Sequence, residues 1–137
     1  MFNNQKRFFK KKIHAVQCQI WDREFSRFKR EELREEIRRD YDSLRAKLEI
    51  LKTRIAEESG AGKLKETNID EFKRLEDDQV ILERDIGRRQ DQLKAIDIDI
   101  HGEKPSTENP EGSKGLDQEL DAYRELKTML IQYRDSL

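Results

Sequence analysis

The chain has 137 residues, about one domain's worth, and its 34% hydrophobic content beside 43% charged residues excludes a thick, many-layered core. Its 29 basic and 30 acidic side chains nearly cancel. That excludes the one-signed excess of a disordered tail and leaves the Glu, Lys, Arg, Leu and Gln mixture of long amphipathic helices.

The chain opens on "MFNNQKRFFKKKIHAVQCQIW", with no acidic residue before Asp22. His14, Gln17 and Gln19 interrupt its apolar residues, so neither a signal peptide nor a membrane span is expected. A basic, acid-free start also suits a mitochondrial presequence, but serine is missing and Arg7 is the only early arginine, so that stays the lesser alternative. Cys18, the only cysteine, permits no intrachain disulfide, and a reducing intracellular setting, nuclear or cytoplasmic, is expected.

Read as helix, the opening segment places Phe9, Ile13, Val16, Ile20 and Trp21 along one side, and Phe25 and Phe28 extend the stripe. Aromatic anchors are what protein interfaces use. Phe9, Ile13, Ile20, Trp21, Phe25 and Phe28 are therefore the expected partner-binding residues. The alternative gives the cations the leading role, with Lys6, Arg7, Lys10, Lys11 and Lys12 meeting an anionic membrane or nucleic-acid phosphate. Five cations without a recognition fold would bind weakly and salt-sensitively.

The first helix is predicted over 5–58. Between Phe28 and Ile37 the only apolar residue is Leu33, and the heptad register is expected to slip, with Glu31 and Arg34, and Glu35 and Arg39, as helix-supporting pairs. Ile37, Tyr41, Leu44, Leu48, Leu51 and Ile55 then follow at steps of three and four. This is a coiled-coil seam.

"SGAGK", Ser59 to Lys63, opens a turn over 59–67. It lacks the spacing and the preceding strand of a phosphate loop, and its glycines suit a helix end. A second helix over 68–101 starts with Asn68 as cap and Glu71 three residues on. Its seam runs through Phe72, Leu75, Gln79, Leu82, Ile86, Arg89, Leu93, Ile96 and Ile100. Gln79 and Arg89 are the polar interruptions, of the kind that select register or partner. "IDIDIHG" alternates like a strand, yet Ile96 and Ile100 hold their heptad places, so helix is expected there. Val80, Ile81 and Ile98 lie off the seam and suggest a second apolar face.

Residues 102–115 hold both prolines and read as a flexible linker. The third helix, 116–137, carries Leu116, Leu120, Tyr123, Leu126, Leu130, Tyr133 and Leu137, with Met129 and Ile131 widening the stripe beyond one seam's needs. The predicted fold is all-α: a long antiparallel coiled-coil hairpin plus a C-terminal helix, one elongated module over 1–137.

Chemistry is sparsely represented. His14 and Cys18, four apart, are two ligands where a structural zinc site needs four, and Cys18 is expected to be buried or half-buried as a small apolar residue. Acidic pairs such as Asp77 with Asp78 sit on hydrophilic faces with nothing to desolvate them. No catalytic residue, metal, cofactor or small-molecule substrate is expected. The expected function is a non-enzymatic coiled-coil subunit or scaffold that assembles with a coiled-coil protein, itself or another chain.

Overall fold

The computed structural model describes residues 2–60 and 69–137. Among them are three α-helices, α1 (Phe2–Gly60), α2 (Ile69–His101) and α3 (Leu116–Asp135), and no strand. Of the predicted turn over 59–67, Ser59 and Gly60 belong to α1; its other residues and the Asn68 cap lie outside the described residues. α1 runs 59 residues because nothing interrupts it: its only glycine is Gly60 and it has no proline, the two residues that disfavour a helix interior. α2 stays helical through the alternating "IDIDI" to His101.

The chain packs as two compact units, Met1–Leu33 with Ala95–Leu137, and Arg34–Lys94. In the first unit, Val16 and Ile20 of α1 are buried against Leu120 of α3, with Tyr123 and Leu130 packed around them. Ile96 and Ile100 at the end of α2 are buried too. Leu120 and Ile100 are each only 1% exposed, and hydrophobic burial of this kind supplies the main driving force for docking α3.

In the second unit, Leu48 of α1 and Leu75 of α2 are buried. Ile37, Tyr41, Leu44, Leu51 and Ile55 are half-buried, as are Phe72, Leu82, Ile86 and Leu93. Both predicted seams therefore face protein. Arg54 meets Glu71 at 3.3 Å, Arg89 lies 4.0 Å from Asp40, and Gln90 donates to the Tyr41 hydroxyl at 3.1 Å. Ile50, Val80 and Ile81 remain exposed. Ile50 and Leu51 of α1 and Ile81 and Leu82 of α2 line a shallow groove.

The 102–115 stretch is a hydrogen-bonded loop. Gly102 has a φ of 77° and its N–H donates to the Ile98 carbonyl at 2.8 Å, the left-handed helix ending that glycine permits without strain. Glu103 and Ser113 then exchange two backbone hydrogen bonds, 2.9 and 2.8 Å. Buried Gly115 passes so close to α2 that an added Cβ would strike the Gly102 nitrogen and sit 2.5 Å from the Ile100 carbonyl. Gln118 fastens this crossing: its side-chain oxygen accepts from the Gly115 N–H at 2.8 Å and its side-chain nitrogen donates to the His101 carbonyl at 2.6 Å. α3 is thus positioned at its first turn as well as along its apolar face.

Candidate interaction surface

An α-helix turns about 100° per residue, so the residues of α1 in the first unit fall into sectors. One sector holds Phe9, Ile13, Val16, Ile20, Arg23, Arg27 and Arg30, all buried or half-buried. About 135° away around the same helix lie Trp21, Phe25 and Phe28, which are 56%, 60% and 54% exposed. The single stripe expected from sequence is two stripes. Trp21 does not lie with Ile20, because adjacent residues point about 100° apart. Phe9, Ile13 and Ile20 go to the intrachain face: Phe9 stacks on Tyr133 of α3 at 6.3 Å between centroids, and Ile20 belongs to the buried cluster.

The register does not slip after Phe28. Steps of three and four continue from Ile20 through Arg23, Arg27, Arg30 and Arg34 to Ile37, so four consecutive seam positions are arginine. An arginine can occupy such a site because its stem covers apolar surface while the guanidinium reaches outward. Arg23 Nε meets Glu119 at 3.2 Å, Arg27 Nε meets Asp117 at 2.9 Å, and Arg30 Nε lies 3.5 Å from Asp99. The other oxygen of Asp117 lies 2.8 Å from His101 Nδ1. The hydrogen bond to Glu119 is the main cause that raises the Arg23 pKa above its already high ordinary value, so this cation keeps its charge at every working pH. Glu31 pairs back to Arg27 at 3.6 Å.

The basic residues Lys6, Arg7, Lys10, Lys11 and Lys12 are all exposed. The Lys12 ammonium lies 5.6 Å from the centre of the Phe8 ring, a cation–π arrangement. Asp22 and Glu24, the first acids of the chain, are drawn into intrachain pairs with Arg23 at 2.9 Å and Arg124 at 3.2 Å. Cys18, expected to be covered, is exposed. It sits on the same outer sector as Trp21, with its sulfur 3.7 Å from His14 Nε2. No group of three metal-ligating side chains occurs among the described residues. None of their helices is long and apolar enough to cross a membrane.

Gln79 and Arg89 are half-buried at their seam positions in the second unit. Gln79 bonds within α2, to Glu83 at 3.1 Å, whereas Arg89 bonds Gln92 at 3.1 Å and faces Asp40 across the seam. On α3, Met129 of the widening pair stays exposed and Ile131 is half-buried, while Leu126 and Tyr133 of the expected stripe are exposed. Sequence reasoning missed the seam arginines, although their spacing, an unbroken continuation of the three-four series, was available to find them. No family model, curated protein or solved structure matches this chain.

Proposed function

We propose that this protein is a non-enzymatic helical assembly subunit that joins a coiled-coil partner chain through the outer face of α1. The observation that carries this is the Trp21, Phe25 and Phe28 row. These are three large aromatic side chains one heptad long, each more than half exposed, on the side of α1 turned away from α3. Aromatic side chains are enriched at interface hot spots, where truncation costs about 2 kcal/mol or more, and a contiguous exposed apolar patch marks an interaction site. The second unit supplies the scaffold. Its two helices pair as an antiparallel coiled-coil hairpin, a reading supported by Asp40 and Tyr41 meeting Arg89 and Gln90 late in α2 while Arg54, further along α1, meets Glu71 early in α2.

The test uses the full chain, isolated at modest salt together with whatever chain associates with it, or with itself. Trp21→Ala combined with Phe25→Ala should dissociate the assembly in sedimentation velocity while circular dichroism keeps its helical signal, because neither side chain is part of the intrachain core. An assembly that survives the double substitution overturns the reading.

A further inference from the structure

The outer sector of α1 has a charge pattern as well as an apolar one. Within about 60° of the Trp21–Phe28 line, residues 4–29 contain no carboxylate, and Arg7 and Lys10 share that sector, with Lys11 and Lys29 just beyond one edge and Glu24 just beyond the other. The acids that border it, Asp22 and Glu24, are held in the intrachain pairs with Arg23 and Arg124. Among the described residues none of Arg7, Lys10 and Lys11 is paired with a carboxylate. Lys29 lies 5.5 Å from the centre of the Phe25 ring and 3.6 Å from Glu32. The sector is therefore a one-signed field with an aromatic end.

Cations and aromatics are separated along the helix axis, not around it. The cations lie at residues 7–11 and the aromatics at 21–28, about 20 Å further on at 1.5 Å per residue, in the same angular sector. A helix that lies flat in a bilayer surface separates its apolar and cationic residues around the circumference, so that rings sink while cations stay at headgroup depth. Here both would have to sit at one depth. A second helix laid lengthwise meets each part in turn.

We infer that the partner of this face is an acidic amphipathic helix. It presents apolar side chains over about two turns to Trp21, Phe25 and Phe28, and carries Asp or Glu about four turns along the same face, opposite Arg7, Lys10 and Lys11. This rests on the assembly reading above and names the chemistry of the chain that fills it. Opposite charge supplies steering and register, while the aromatic row supplies most of the affinity.

Trp21 is the only tryptophan, so its fluorescence reports directly on the face. The probe is a synthetic helical peptide with Leu at three-four spacing in one half and Glu along the same face in the other; a control replaces every Glu with Gln. With the full-length protein, the Glu peptide should shift Trp21 emission to the blue saturably, and its affinity should fall with added salt. The substitutions Lys10→Glu and Lys11→Glu together should weaken it about tenfold or more, with the circular dichroism unchanged. If the Gln peptide binds as well, or the lysine variant binds the Glu peptide normally, the acidic class is wrong and the assembly face stands. If Trp21 emission responds to neither peptide, the acidic-helix proposal is overturned. A response only to vesicles containing phosphatidylserine, or only to duplex DNA, overturns the assembly reading with it.

Discussion

The two units use one seam pattern to different ends. In the unit of Arg34–Lys94, the three-four series of α1 is Tyr41, Leu44, Leu48, Leu51 and Ile55, all buried or half-buried. In the unit that contains α3, the α1 seam begins apolar, at Phe9 to Ile20, and then turns into Arg23, Arg27 and Arg30. Arginine is tolerated there because Asp99, Asp117 and Glu119 are supplied by the end of α2 and the first turn of α3. The difference shows that a heptad position asks for a match, apolar or ionic, and that a third helix widens the choice. The cost appears on the other unit's surface, where Ile50, Val80 and Ile81 are uncovered.

The strongest way to break the comparison is to expel α3. Leu120→Asp puts an unpaired charge at a position 1% exposed, at a cost of about 3 to 5 kcal/mol. Hydrogen exchange should show protection lost over Leu116–Asp135 while Leu48 and Leu75 and their neighbours keep theirs. Uniform loss across the chain would show that the two units do not melt separately. Leu48→Ala is the converse, removing a buried side chain from the two-helix unit at about 2 to 3 kcal/mol. Exchange should then accelerate around Leu48, Leu75 and Leu82 and leave α3 protected.

Gly115→Ala tests the crossing that starts α3. Its Cβ would collide with backbone of Gly102 and Ile100, neither of which can yield as a side chain could, and a loss of about 2 kcal/mol is expected, read in thermal melts followed at Tyr123 and Trp21. A neutral Gly115→Ala would mean that the close approach is relaxed in solution. The opposite sign is expected at Gly87, in the interior of α2, where an added Cβ meets nothing within 4 Å. Gly87→Ala should stabilise the two-helix unit by about 0.5 to 1 kcal/mol, by helix propensity alone.

The smallest effect sharpens the comparison most. Arg27→Ala removes an ion pair from a seam position that is more than a third exposed, so the loss should be under about 1 kcal/mol and should shrink as salt rises. Arg27→Leu separates the ionic match from packing. A gain in stability would show that the arginines serve register selection more than strength, as buried polar seam residues do elsewhere.

Periodicity and punctuation determined the three helices. Apolar residues at steps of three and four, the absence of proline from 2–60 and 69–101, and the Pro- and Gly-bearing 102–115 stretch are local signals, and a helix is a local structure whose hydrogen bonds span four residues. That the three-four positions of Ile37–Ile55 and Phe72–Ile100 are buried or half-buried was legible for the same reason. The partition of the N-terminal aromatics was not. Phe9 and Ile20 turned inward and Trp21, Phe25 and Phe28 outward because α3 folds back onto one side of α1, and nothing local to residues 9–28 encodes that choice. The spacing of Arg23, Arg27 and Arg30 is in the sequence, but not what holds them there, since an arginine is equally at home in solvent until acids from distant segments come within 2.9 to 3.5 Å. Which face of α1 is core and which is free is a long-range fact, set by the fit of Val16 and Ile20 to Leu120 and by the carboxylates that flank it.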